Sequence, residues 1–182
     1  MNSEHHTSSP PAPELAVIMP VYNEEDVVAN VIKAWHDELR TLTDSFEIHA
    51  YDDGSTDSSA RKMNALSDEM PALYVHEKAN SGHGPTILTG YRHNTNAKWQ
   101  FQIDSDNELP PDAFRTLWEH RENVDFLAAY RVNRQSPLPR RIVSFGARLM
   151  LRALFGRGCI RDVNVPYRLM RSAAFRECFD MI

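Results

Sequence analysis

Cysteine is almost missing from this chain: Cys159 and Cys178 are the two in 182 residues. Two are too few for a disulfide framework, and they carry no metal-site spacing. Long apolar runs are missing too. No stretch approaches the roughly 18 consecutive apolar residues that a membrane-spanning helix needs. The start, Met1 to Pro13, is polar and Pro-rich and lacks the apolar stretch of a signal peptide, so it reads as a flexible tail. There is no Gly-Lys-Ser/Thr of a P-loop. The Gly-x-Gly-x-x-Gly of a dinucleotide site also fails, because Ile87 stands three residues after Gly84. No Ser-His-Asp or Cys-His set stands out. What remains is ordinary: 42% hydrophobic and 25% charged residues, the balance of one globular domain. A reducing cytoplasm is the simplest compartment.

Lysine stops at Lys98, and the acidic character of the chain stops after residue 130. Residues 1–130 hold 9 Lys and Arg against 22 Asp and Glu, whereas residues 131–182 hold eleven arginines against three acids. The formal net charge of -5 hides this split. Such asymmetry suggests that the C-terminal stretch meets something anionic. Within it, residues 140–157 are amphipathic: Ile142, Phe145, Leu149 and Phe155 share one face and Arg141, Arg148 and Arg152 another. The pattern fits a core-facing helix with a wet side, and also a helix lying on an anionic membrane surface.

Apolar periodicity lays out alternating elements. Leu15–Val21 reads as a buried strand, followed by Asn23-Glu24-Glu25-Asp26 and a helical spacing of Val27, Val28, Val31, Ile32, Trp35 and Leu39. The acids and Asn suit a helix start, where free N–H groups favour them. Phe46–Tyr51 reads as the second strand, and a helix near Ser58–Met70 follows. Leu73–His76 is the third strand, followed by the loop Asn80–Pro85. Lys98–Ile103 and Val124–Tyr130 are the fourth and fifth, with a helix opened by Pro110-Pro111 between them. Strand and helix alternating at this spacing mean βαβ units and a mostly parallel sheet with helices on both faces. The polar turns after strands one, two and four then share the C-terminal edge, where open α/β sheets bind ligands.

Three motifs stand out. Asp104-x-Asp106 ends strand four, with Glu108 two residues on; three hard oxygen donors suit Mg²⁺ or Mn²⁺ beside substrate phosphates. A surface turn has the same composition. An EF-hand is excluded by Leu109 at its glycine position, and a phosphatase-type Asp nucleophile by Glu108 at the fifth position. Asp52-Asp53-Gly54-Ser55 ends strand two; it fits a plain turn and helix cap, or a carboxylate accepting from a nucleobase or ribose. Asn80-Ser81-Gly82-His83-Gly84-Pro85 is a Gly-rich loop before a helix, able to bring backbone and His83 to a phosphate.

In that order, Pro20-Val21-Tyr22-Asn23-Glu24, Asp52 to Asp57, Asn80-x-Gly82-x-Gly84 and Asp104-x-Asp106 resemble the family 2 glycosyltransferases, which have the GT-A fold. The sequence is most similar to their polyprenyl-phosphate glycosyltransferases, the dolichyl-phosphate mannose synthase group. That likeness is carried by Asp104 to Pro111, Arg131 and Asp162-Val-Asn164-Val-Pro-Tyr167-Arg168. It covers about residues 15–175. The resemblance implies a nucleotide pocket of Pro20, Tyr22, Asn23, Glu24, Asp52, Asp53, Gly82 and Asp104. It implies a Mg²⁺ or Mn²⁺ site of Asp104, Asp106 and Glu108, and a reacting centre of Asp162, Arg131 and Arg168. Departures are Glu108, where the group usually has Gln, and Pro166, where Gly is common. Residues 14–182 are then expected to be one GT-A domain that lacks the family's C-terminal part and transmembrane helices.

The expected reaction is metal-dependent inverting transfer of a hexose from a GDP- or UDP-sugar to a polyprenyl phosphate. It is expected at the cytoplasmic face of a membrane contacted through residues 140–157, with no nucleic-acid partner. Two alternatives remain at this stage. One is the same fold with a saccharide acceptor, which would need Asp162 as general base. The other is a truncated, inactive nucleotide-binding fragment.

Overall fold

The computed structural model describes residues 11–106, 110–129 and 166–181. Six strands form one sheet in the order β3-β2-β1-β4-β6-β5. They are β1 (Leu15–Val21), β2 (Phe46–Asp52), β3 (Leu73–Glu77), β4 (Trp99–Gln102), β5 (Phe126–Ala128) and β6 (Arg168–Arg171). β1 through β4 are mutually parallel, and β6 runs antiparallel between β4 and β5. The mostly parallel sheet is therefore as expected. β6 has no counterpart in the periodicity, because two arginines bracket only Leu169 and Met170.

β1 is buried along its whole length, as its unbroken apolar run requires of a central strand covered on both faces. One face is covered by α1 (Val28–Leu39), α2 (Ser59–Ser67) and α4 (Phe114–His120), the other by α3 (His83–His93) and α5 (Ser172–Met181). Val28, Val31, Ile32, Trp35 and Leu39 are the buried stripe of α1. Trp35, Phe101, Phe114 and Tyr167 form an aromatic cluster, with Phe101 and Phe114 rings 4.2 Å apart. The Tyr167 hydroxyl donates to the Pro110 carbonyl at 3.2 Å, tying the approach to β6 to the segment after β4.

On the opposite face, Gly90 lets α3 approach β1 closely. A Cβ there would lie 2.4 Å from Ile18 Cγ2 and 3.1 Å from Tyr51 Cε2. Ala is the better helix former by about 1 kcal/mol. The overlap outweighs this, so Gly90→Ala is expected to destabilise by about 1–3 kcal/mol. A lower urea midpoint at unchanged slope would show it; an unchanged or higher midpoint would mean that the helix shifts freely.

The helix after β1 starts later than expected. α1 begins at Val28, with no acidic residue in its first turn. Asn23 instead adopts a left-handed backbone (φ 55°), and residues 23–25 knit to the turn after β2. The Asn23 N–H donates to Ser55 Oγ at 3.0 Å, and Thr56 N–H donates to Asn23 Oδ1 at 2.8 Å. Glu24 N–H reaches Ser59 Oγ at 2.8 Å and Glu25 N–H reaches Asp57 Oδ2 at 3.1 Å. The backbone N–H groups of residues 23–25 and the Asn23 side-chain oxygen are thus spent on residues 55–59 rather than on the start of α1.

The described members of the arginine-rich end also have protein partners. Arg171 lies over the Trp99 ring and pairs with Asp125 at 2.9 Å, and Arg176 donates to the Thr95 carbonyl. Residues 140–157 lie outside the described residues. No helix among the described residues is long and apolar enough to cross a membrane.

Candidate active site

The sheet order sets the position of the site. β1 leads to β2 and β3 on one side and meets the parallel β4 on the other, so the order in which strands are added to the sheet reverses between β1 and β4. A crevice forms outside the strand ends at such a point. Pro20 lies there without cost. Ile18 accepts from Ile103 N–H on the β4 side, and two residues on, β4 pairing has already stopped, so the missing proline N–H breaks no ladder bond.

A cavity of about 480 Å³ occupies this crevice, within the range of about 300–1,000 Å³ common to small-ligand sites. It is lined by Pro20, Val21, Tyr22 and Glu24 after β1, and by Asp53 after β2. Asn80, Gly82 and His83 after β3 and Asp104, Ser105 and Asp106 after β4 complete it. Tyr22 is 50% exposed, an aromatic face presented to solvent at the rim. His83 opens α3, and its Nε2 lies 3.6 Å from Asp104 Oδ1. The Glu24 carboxyl is held above its ordinary pKa by burial and then by the negative charges of Asp106 and Asp57. The cavity thus concentrates negative charge on one wall.

The two aspartates after β2 part company. Asp52 does not line the cavity; its Oδ2 accepts from Ser55 N–H at 3.1 Å, and its Oδ1 is buried with no hydrogen-bond partner among the described residues. Asp53 lines the cavity, yet its carboxylate is engaged by the loop after β3. Oδ1 takes the Lys78 ammonium and the Ser81 N–H (2.8 Å), and Oδ2 takes the Gly82 N–H (2.8 Å). Burial works to raise the Asp53 pKa. Lys78, the Ser81 and Gly82 N–H groups and the Thr86 hydroxyl outweigh it and hold it near about 2.

Arg168 sits on β6 opposite Gln102 of β4 and does not line the cavity. It hydrogen-bonds the buried Tyr91 hydroxyl, which itself donates to Gln102 Oε1 at 2.7 Å. Burial pushes the Tyr91 phenol up; Arg168 opposes that and Asp104 adds to it. A guanidinium is therefore fixed beneath the strand end that carries Asp104. Asn23 is spent on residues 55 and 56. Glu108, Arg131 and Asp162 lie outside the described residues.

Lys78 and Ser105 were not assigned a role from sequence, and Asn80 entered only as part of the Gly-rich loop motif. The signal for Lys78 was available: the alternation that put three turns at the C-terminal edge puts the turn after strand three there as well.

Among the described residues no three His, Cys, Asp or Glu side chains converge as a closed metal cage. Asp104 and Asp106 nonetheless fit Mg²⁺ or Mn²⁺. Such ions are commonly held by one or two carboxylates and completed by substrate phosphates and water. The raised Glu24 carboxyl shows the negative charge that a divalent cation would offset.

Residues 16–179 match the sequence profile of Glycosyl transferase family 2. Among curated proteins, the chain is 30% identical over 138 residues to an undecaprenyl-phosphate 4-deoxy-4-formamido-L-arabinose transferase of Klebsiella pneumoniae, covering 74% of this chain and 42% of that one. The protein of the same name from Salmonella choleraesuis is 29% identical over 150 residues, covering 81% and 46%. The chain thus spans less than half the length of these relatives.

Solved structures share the fold. Glucosyl-3-phosphoglycerate synthase from Mycobacterium tuberculosis, in complex with Mn²⁺, UDP and glucosyl-3-phosphoglycerate, has a TM-score of 0.64 at 21% identity, over 88% of this chain and 57% of that one. The mannosyltransferase PcManGT from Pyrobaculum calidifontis, in complex with GDP-Man and Mn²⁺, has 0.58 at 18%, over 91% and 46%. With the profile match over most of its length and a crevice at the β1/β4 strand ends, this chain belongs to glycosyl transferase family 2 and has the GT-A fold.

Proposed function

We propose that the chain is the catalytic portion of a metal-dependent, inverting glycosyltransferase that uses a nucleoside-diphosphate sugar and a polyprenyl phosphate. The carrying observation is the cavity at the β1/β4 divergence, with the aromatic face of Tyr22 at the rim and Asp104 and Asp106 on the wall. A planar base suits Tyr22, Pro20 and Val21. The first turn of α3, with His83 and its free N–H groups, suits the diphosphate. Mg²⁺ or Mn²⁺ held by Asp104 and Asp106 would neutralise the leaving diphosphate.

The acceptor phosphate oxygen attacks the anomeric carbon from the side opposite the diphosphate, so the anomer inverts. A phosphate monoester is already largely ionised at pH 7, its second pKa being about 6, so it needs positioning more than a general base. Arginine suits that task, because its planar fork binds phosphate with two parallel bonds. Arg131 and Arg168 are the residues assigned to it. Arg168 is held in place by Tyr91 beside the Asp104 strand end. The undecaprenyl phosphate in the names of the curated relatives favours a lipid phosphate over a saccharide acceptor.

The direct test is thermal denaturation with UDP or GDP, each with and without Mn²⁺. A bound nucleotide at a hundredfold excess over Kd should stabilise by about 2.7 kcal/mol. No shift with either nucleotide would end this reading of the cavity. Binding without transfer to undecaprenyl phosphate would leave a nucleotide-binding fragment.

A further inference from the structure

We propose that His76 and His93 form a binding site for a borderline-soft divalent cation of the Zn²⁺ type, separate from the carboxylates of the cavity and joining the edge strand β3 to α3. The reading of the cavity as a donor site plays no part in it.

The chain of contacts starts at Glu47 on β2. A carboxylate only accepts, so Glu47 Oε2 fixes the proton of His49 on Nε2, 3.0 Å away. His49 Nδ1 is then bare and accepts from His76 Nε2–H at 3.0 Å. His76 is left with a bare Nδ1, which has no hydrogen-bond partner among the described residues. Its ring is half-buried. Burial, then His49 and His93, lowers its pKa to about 4, so it is neutral at pH 7, the form that binds a metal. A metal-bound imidazole usually gives its other N–H to a carboxylate, which fixes the tautomer and raises its basicity. Glu47 supplies that carboxylate through His49.

His93 ends α3 and is exposed. Its ring centroid lies 6.1 Å from that of His76, with the planes tilted by 56°. At a Zn–N distance of about 2.0–2.1 Å, two imidazoles on one ion have ring centres about 5–6 Å apart. His93 Nδ1 faces the Tyr51 hydroxyl at 3.5 Å. That oxygen accepts from Asn94 Nδ2 at 3.0 Å and has a second lone pair for the His93 N–H, which leaves Nε2 for the ion.

The donor type selects the ion. Imidazole nitrogens suit Zn²⁺, Ni²⁺ and Cu²⁺, whereas Mg²⁺ and Mn²⁺ prefer carboxylates, so this pair and the Asp104 and Asp106 pair sort ions between them. Two imidazoles with water completing the coordination agree with the lack of a three-residue cage among the described residues. β3 stands at the end of the sheet order and pairs with β2. A bound ion adds a direct tie from this edge strand to the helix on the far side of the cavity loop.

Isothermal titration with Zn²⁺ in excess Mg²⁺ tests the site, on wild type, His76→Gln, His93→Gln and Glu47→Gln, with the melting temperature of each with and without Zn²⁺. The wild type should bind Zn²⁺ and melt higher with it. His76→Gln and His93→Gln should each lose this binding and the shift. Glu47→Gln, which touches no ion, should keep the site but weaken it by about tenfold. Should His76→Gln not fold, His93→Gln, at an exposed position, decides alone.

Wild-type Zn²⁺ affinity in a folded His93→Gln would overturn the inference, because the ion would then sit elsewhere in the chain. So would a wild type that takes up no Zn²⁺ in excess Mg²⁺. Unchanged affinity in Glu47→Gln would remove Glu47 and His49 from the site and overturn the relay that orients His76.

Discussion

Replacing Asp106 by asparagine is expected to cut turnover by about a hundredfold or more, and to abolish the part of nucleotide binding that depends on Mn²⁺. The expectation comes from charge. Asp106 lines the cavity, and its negative charge is felt by Glu24, whose carboxyl is raised by burial, by Asp106 and by Asp57. The variant keeps the shape of the side chain and one oxygen, so packing is preserved while a hard anionic donor is lost. Two measurements separate this from unfolding. The free variant should stay folded and melt within a few degrees of the wild type, because the shape of the side chain is kept. The Mn²⁺ dependence of the UDP or GDP thermal shift should disappear. A variant that retains both Mn²⁺ dependence and turnover would show that Asp106 is a surface carboxylate with no metal to hold.

The second large effect is expected on acid stability, from rings stacked on β2 and β3 away from the site. His49 Nδ1 and His76 Nε2 are 3.0 Å apart, and His49 Nε2 is 3.0 Å from Glu47 Oε2. His49 stacks on Tyr74, and His76 stacks on Tyr51, with centroids 5.1 and 4.5 Å apart. His93 of α3 faces the same group, with its Nδ1 3.5 Å from the Tyr51 hydroxyl. Burial, then the charge of His93, lowers the His49 pKa to about 4; burial, then His49 and His93, does the same to His76. His49 is thus neutral at pH 7, and its contact with Glu47 is a hydrogen bond rather than an ion pair.

The unfolded chain takes up these protons near pH 6.5. Stability is therefore full above about 6.5 and falls as the pH drops toward about 4. His49, 8% exposed, accounts for at most about 3 kcal/mol of that loss; the Glu47 carboxylate and the partial exposure of His76 reduce the rest. His49→Gln keeps a polar side chain but removes the titration, and should flatten urea stability between pH 6.5 and 4. An unchanged slope in that window would mean that the cluster opens to water before it protonates.

Sequence and structure agree most closely where a residue answers to one local demand. β1 is an apolar run that only a doubly covered strand satisfies, and it begins and ends at Leu15 and Val21 as the pattern requires. Residues 104–106 lie at the C-terminal edge because parallel alternation leaves the end of β4 nowhere else to point. The agreement is weaker where a polar residue has several partners to choose from. Asn23, Glu24 and Glu25 suit a helix N-terminus, but the turn after β2 competes for them and wins. Of two adjacent aspartates, strand alternation sends Asp52 toward its own turn and Asp53 toward the cavity and Lys78.

Composition and periodicity alone determined a mostly parallel α/β sheet, its first four strands and the edge that carries the acidic motifs. These are consequences of burying apolar faces, which each segment specifies for itself. The tertiary structure alone decided that β6 inserts antiparallel between β4 and β5, that Arg168 is fixed by Tyr91, and that Asp53 is engaged by Lys78. Each of these joins residues far apart in the chain, through hydrogen bonds and charges whose strength depends on distance and burial. No local pattern encodes those two quantities.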